Sequence, residues 1–261
     1  RRSTKNSEFV EKEYLLKIFY KTMLLGLPQY IYNPVNNNNF LAPLLVKPYS
    51  TYVNFKLDEQ QVDYLNKYVN EFSDSLTLVP LKISKYEFPT YYINVNVYNC
   101  SSPILMSNEN IVRCEINTYV RNHDGTLGTL ILDYVSNGIS LDPINLFKSA
   151  NMAKFIKKDG YNIINCRSKN QKITLDLSYS ILNSEEFTMS KELIDYTDNI
   201  YYKNGIMDKI YYDSSLTRAN IKQTNFISNF IFKYRDLEFD NIDSIFYFTD
   251  ELRFVGSVWD N

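Results

Sequence analysis

The chain has 261 residues, 44% hydrophobic and 15% aromatic, which is ample for a globular core. A net charge of −2 and a pI of about 5.6 give it no electrostatic footprint for nucleic acid, so no nucleic-acid partner is expected. Its three cysteines, Cys100, Cys114 and Cys166, are widely spaced with no CxxC, which argues against a disulfide framework or a zinc site and for a reducing, cytoplasmic compartment.

Ser7 to Leu25 has helical spacing, with Phe9, Leu16, Phe19 and Met23 near one stripe and Lys12, Lys17 and Lys21 largely off it. Gly26 and Pro28 stop it. It is expected to pack, as segment 1–27, on a body formed by residues 50–261, the whole being a single domain. The longest apolar stretch, Tyr14 to Tyr30, is interrupted by Lys17, Lys21 and Pro28, so no transmembrane segment is expected. Because the first residue is Arg1, an upstream targeting or anchoring segment stays open. Thr51 to Leu57 reads as a strand. Asp58 then caps a helix, Glu59 to Phe72, in which Val62, Leu65, Val69 and Phe72 repeat at helical spacing. Leu76 to Ile83 reads as a strand that Pro80 marks as an edge or a bulge. Thr90 to Tyr98 alternates Tyr91, Ile93, Val95 and Val97 with Tyr92, Asn94, Asn96 and Tyr98. Asn99-Cys100-Ser101 matches the N-glycosylation pattern, which arises easily by chance in an Asn-rich chain.

The stretch from Val112 to Pro143 organises the rest. Val112, Cys114, Ile116, Thr118 and Val120 fall on one face of a strand, and Arg113, Glu115, Asn117, Tyr119 and Arg121 on the other. Asn122-His123-Asp124-Gly125 is a hairpin turn. The return strand, Thr129 to Tyr134, is nearly continuous in apolar character, as a strand buried on both faces would be. Asp142 and Pro143 are a helix N-cap and first turn, which predicts a helix from Pro143 to about Lys158. Further strands are expected at Lys172 to Tyr179, Ile210 to Tyr212, Asn225 to Phe232, Ile242 to Phe248 and Leu252 to Trp259. A short helix is expected within Glu185 to Tyr196, and a hairpin turn at Asn204-Gly205. Many strands and few helices predict a β-rich α+β fold, built on a large curled or closed antiparallel sheet with a few flanking helices.

Glu115-Ile-Asn-Thr-Tyr-Val120, a turn, Gly128-Thr-Leu-Ile-Leu132 and a following helix resemble the central segment of acetoacetate-decarboxylase-like barrels, in particular their divergent members. The resemblance extends weakly through Tyr202-Lys-Asn-Gly-Ile206 and Phe246-Tyr-Phe248 to Phe254-Val-Gly256. It implies a barrel cavity that binds or acts on a small keto acid or related carbonyl compound. In that family a lysine forms a Schiff base while a neighbouring lysine and desolvation keep its amine neutral. The corresponding place here is Asn151-Met152-Ala153, where no lysine stands. Lys154 is the nearest candidate nucleophile, with Lys148 before it and Lys157-Lys158 after. The family's acidic residue on the earlier strand is also absent, since Tyr92 is followed by Ile93 and Asn94.

Arg113 and Glu115, two apart on one strand, share a face. They read either as an anion-binding Arg with an acid-base Glu, or as an exposed ion pair. With Tyr92, Asn94, Asn117 and Tyr119 they are candidate ligand-binding residues, provided that the polar faces of the two strands line one interior; the alternative is that those faces are wet. His123 reads as a turn residue. Without GxGxxG, P-loop or HExxH patterns, no cofactor or metal is expected. Two further function classes stay beside the lyase: a ligand-binding barrel without the lysine, and an interaction or structural protein. A homo-oligomer is left open.

Overall fold

A computed structural model describes residues 41–83, 88–101, 111–137, 152–197, 199–201, 207–212 and 220–257. The expected N-terminal helix, the Asp142-Pro143 helix start and the Asn204-Gly205 turn lie outside them. Strands β1 (Leu41–Val46), β2 (Thr51–Lys56), β3 (Leu76–Leu78), β4 (Tyr92–Ser101), β5 (Ile111–Asn122) and β6 (Leu127–Ser136) come first. Then follow β7 (Met152–Lys158), β8 (Tyr161–Arg167), β9 (Ile173–Ser180), β10 (Glu185–Phe187), β11 (Asn199–Tyr201) and β12 (Met207–Tyr212). The chain continues through β13 (Ile221–Thr224), β14 (Ile227–Tyr234), β15 (Leu237–Phe239), β16 (Ile242–Phe248) and β17 (Leu252–Ser257). Helices α1 (Glu59–Phe72) and α2 (Lys191–Thr197) flank them.

Asp58 starts α1 through a capping box: its carboxylate accepts from Gln61 N at 2.8 Å, and Gln61 Oε1 accepts from Asp58 N at 2.9 Å. At the β5–β6 turn Gly125 takes φ +87°, and Asp124 Oδ1 accepts from Thr126 N at 2.8 Å, with His123 exposed beside it. One expectation is overturned. Residues 152–158 form strand β7 rather than the end of a helix, and Asp159-Gly160 is its hairpin turn to β8. Asp159 (φ +51°) and Gly160 (φ +78°) are both left-handed, as a tight hairpin turn requires. A methyl group at Gly160 would come within 2.6 Å of the Leu182 side chain.

The strands form two sheets. The larger has twelve strands in the order β10-β13-β16-β2-β4-β1-β17-β12-β11-β6-β5-β3, with β4 also paired to β5. The smaller runs β15-β14-β9-β8-β7. Apart from the parallel β11–β6 pair, the pairings are antiparallel, as expected. β4 carries β2 and β1 along one edge and β5 along the other, so the large sheet turns back towards itself. Among the described residues it still ends in two terminal strands, β10 and β3, and the expected closed barrel is not established by it.

Packing explains which faces matter. Val53, Phe55, Val95, Val97, Cys114 and Ile116 of the large sheet meet Ile164, Cys166, Leu175, Leu177 and Phe232 of the small one, together with Leu65 and Val69 of α1, in a first core. The Phe55 and Phe232 rings lie 4.9 Å apart there. The opposite face of β4 and β5 is not wet. Tyr92, Tyr98 and Tyr119 bury against Phe246, Phe248, Leu193 and Tyr196 in a second core. The β5–β6 register slips by one residue between Ile116, opposite Asp133, and Asn117, opposite Ile131, leaving Leu132 as an extra residue on β6.

Candidate functional site

The second face is built from cross-strand rungs. The antiparallel register aligns Tyr52, Asn96, Glu115 and Tyr134 across β2, β4, β5 and β6, and next to them Asn54, Asn94, Asn117 and Ile131. Period 2 puts those of β2, β4 and β5 on one side, and the extra residue at Leu132 keeps Tyr134 and Ile131, three apart on β6, on that side as well. Helix α2 covers this side: Thr129 Oγ1 donates to Tyr196 O at 2.9 Å, and the Tyr119 and Tyr196 rings meet edge to face at 5.3 Å. Between the strands and α2 lies a cavity of about 50 Å³. Its polar wall is Asn94, Asn96, Glu115 and Asn117; Tyr52, Tyr119, Ile131, Phe246 and Phe248 make most of the rest, with Leu193 and Thr197 reaching in from α2.

The polar wall is internally wired. Asn54 Oδ1 accepts from Asn94 Nδ2 at 2.9 Å and from the Tyr119 hydroxyl at 3.0 Å, and its own Nδ2 donates to Ser244 Oγ at 3.2 Å. Glu115 Oε1 accepts from Arg113 Nε at 2.6 Å and from the Tyr98 hydroxyl at 2.9 Å. Arg113 also lies over the Tyr134 ring, 4.1 Å from its centroid. At 8% exposure each, Arg113 and Glu115 are a buried pair, which corrects the reading of them as an exposed one. Burial pushes the Tyr98, Tyr119 and Tyr52 phenols well above their usual range, with the Glu115 charge adding to the shift at Tyr98 and Tyr52. They therefore stay neutral hydroxyls at physiological pH.

Of the residues singled out from sequence, Glu115, Asn94, Asn117 and Tyr119 come together on the cavity wall. Arg113 and Tyr92 flank it. Arg113 is turned to Glu115, and the Tyr92 hydroxyl donates to Asp243 Oδ2 at 2.9 Å, beside the Lys56–Asp243 ion pair. Lys154 does not join them: it is exposed on β7, in the other sheet. Lys157, also on β7, donates to the Tyr49 hydroxyl at 2.6 Å. Sequence reasoning missed Asn54 and Tyr52, although their alternation with Val53 and Phe55 in β2 carried the signal. It also missed Phe246 and Phe248, whose place on this face depends on the β16–β2 pairing. Among the described residues no cluster of three or more metal-ligating side chains occurs, and no helix is long and apolar enough to cross a membrane.

No protein-family model matches the chain, and no curated protein matches its sequence. Among solved structures it is similar to the crystal structure of acetoacetate decarboxylase from Legionella pneumophila subsp. pneumophila str. Philadelphia 1, at 10% identity and a TM-score of 0.44, over 86% of this chain and 88% of that one. It is similar also to an acetoacetate decarboxylase-like enzyme from Sphingomonas wittichii RW1, at 8% identity and a TM-score of 0.44, over 87% and 95% of the two chains. Both are named for acetoacetate decarboxylase, the family with which the central segment was compared. At this level of similarity nothing about activity is carried over from them.

Proposed function

We propose that the chain binds a small molecule in the cavity beneath α2, without lysine Schiff-base chemistry. The reading is carried by one observation: Asn94, Asn96, Glu115 and Asn117 form one polar side of a cavity whose other lining is mostly aromatic and aliphatic, and the buried side-chain oxygens of Asn96 and Asn117 have no hydrogen-bond partner among the described residues. An orphaned acceptor of this kind costs about 1–3 kcal/mol, which a bound donor recovers. The position of Lys154 supports the non-catalytic side of the reading, since it is exposed on β7 in the smaller sheet and does not line the cavity. The return of β4 onto β5 supports a barrel-like enclosure, and the sharing of β4 and β5 by both cores supports a single domain.

Two measurements test this. Ligand-observed NMR against a library of small polar fragments is expected to find binders that Phe248→Trp, which fills the cavity, displaces; a folded protein that binds nothing sinks the reading. Borohydride trapping with short β-keto acids, followed by peptide mapping, is expected to give no adduct. A reduced adduct on Lys154, lost in Lys154→Arg, would restore the decarboxylase-like lyase instead.

A further inference from the structure

Cys114 on β5 and Cys166 on β8 lie about 50 residues apart in the chain yet meet in the first core, between the two sheets. Both side chains are fully buried and carry free thiols. The two thiols share a hydrogen bond, which together with burial raises the Cys114 thiol well above its usual range. Cys100 is apart from them, in the second core on the other side of the large sheet.

The sheets come close at this place. Packed sheets usually stand about 10 Å apart. Here Cα atoms of β7 lie within 8 Å of Cα atoms of β4, β5 and β6. Ala153 of β7 is buried in the first core and stands opposite Cys166 on β8, so a methyl group and a thiol fill the gap where a larger side chain would hold the strands apart. A disulfide needs Cα atoms within about 7 Å and Cβ bonds that converge. Contact between thiols from facing sheets meets the second condition, and the convergence at β7 approaches the first.

Either cysteine alone would be a small hydrophobe filling space. In contact, they can form a covalent bond. We propose that Cys114 and Cys166 are an oxidation site, at which a peroxide converts the thiol pair to a disulfide that ties the two sheets together. One sulfur, as its thiolate, attacks the O–O bond of the peroxide, giving a sulfenic acid and, after protonation, one water. The second sulfur displaces the sulfenic hydroxyl, which leaves as a second water, and the S–S bond forms. Two S–H bonds are broken, and their two electrons reduce the peroxide. Strand β7 is terminal in the small sheet, with Met152, Lys154 and Ile156 exposed, and its local opening admits the oxidant. Cys114 precedes Glu115 on β5 and faces the other way, so the bond would fix the strand that carries Glu115 to the small sheet.

The test treats the full chain, reduced and folded, with hydrogen peroxide, then unfolds it in an alkylating agent and maps the unreduced peptides by mass spectrometry. The expected product is a linked pair, Cys114 to Cys166, lighter by two hydrogens, with Cys100 alkylated. The link is expected to persist in Cys100→Ala and to vanish in Cys114→Ala and in Cys166→Ala. In urea the oxidised wild type is expected to unfold at a higher midpoint than the reduced protein, and to return to the reduced value with dithiothreitol. A folded wild type whose two thiols end alkylated or singly oxidised would overturn the assigned pair, as would Cys100 entering disulfides at comparable yield. An oxidised protein with a midpoint no higher than the reduced one would overturn the tie between the sheets.

Discussion

Replacing Arg113 with Met tests whether the polar face is an enclosed interior. The substitution keeps a long, flexible chain over the Tyr134 ring, 4.1 Å from the present guanidinium carbon, so packing changes little. What it removes is the cation at 2.6 Å from Glu115 Oε1, leaving the Tyr98 hydroxyl at 2.9 Å as that oxygen's remaining partner. Were the pair solvated, the loss would be under about 1 kcal/mol. With both side chains about nine-tenths buried, it strands a carboxylate in the interior, at a cost of about 3–5 kcal/mol. For a chain of this size that corresponds to a drop in Tm of about 10 °C. Denaturant titrations of wild type, Arg113→Met, Glu115→Leu and the double variant form a cycle. The double variant is expected within about 1 kcal/mol of wild type, because an apolar pair of similar volume carries no buried charge. A single variant that loses less than about 1 kcal/mol would refute the enclosed face and return Arg113 and Glu115 to the surface.

Tyr98→Phe removes the second donor to Glu115 and is expected to cost about 1.5–3 kcal/mol by chemical denaturation, the range for hydrogen bonds to charged groups. Stability is expected to fall in alkali. Burial raises the Tyr196 phenol to about 12, and the Tyr52, Tyr98, Tyr119 and Tyr179 phenols above it, so their contribution is whole below their unfolded value near 10 and is lost as pH rises through their folded values. Phenolate absorbance should therefore develop together with loss of circular dichroism, and full development at about pH 11 with unchanged dichroism would contradict it. Asp58→Ala breaks the capping box of α1 and should cost about 1 kcal/mol, read from the denaturation midpoint. Gly160→Ala faces both φ +78° and the Leu182 side chain and should destabilise by more than about 1 kcal/mol, whereas a neutral effect would mean that the turn is not left-handed.

The sequence made local structure legible wherever one signal spoke alone. Asp58 and the Val62-Leu65-Val69-Phe72 spacing located α1 to the residue, and alternation located β4 and β5. It failed at β7, where a helix expected from Pro143 to about Lys158 overlaps a strand whose hairpin turn is Asp159-Gly160. The same dipeptide had been read as a hairpin turn at Asp124-Gly125; flanked by lysines, the second instance lost the apolar context that makes the signal. Alternation also separated the two faces of β5 without saying what covers them. The pairing of β2 and β16 beside β4, and the docking of α2, are long-range choices that bury the polar face. Neither is written in the residues of β5. The candidate site was accordingly half visible: Glu115, Asn94, Asn117 and Tyr119 were named, while Asn54, the hydrogen-bond partner of Asn94 and Tyr119 on another strand, was not.

The extra residue at Leu132 divides β6 into two segments of opposite parity. On one side of it Tyr134 and Ser136, even-numbered, stand opposite Glu115 and Arg113; on the other, odd-numbered Ile131 and Thr129 stand opposite Asn117 and Tyr119. Leu130 and Leu132 belong to the first core, and so does Val135 beyond the slip. No single phase of alternation could therefore describe this strand, which is why its residues read as uniformly apolar. Deleting Leu132 would not merely shorten β6. It would remove the bulge, leaving Asp133 and Ile131 adjacent and still opposite Ile116 and Asn117, so that a strand of one regular phase would keep Ile131 and Thr129 on the polar side while the first core lost the Leu132 side chain.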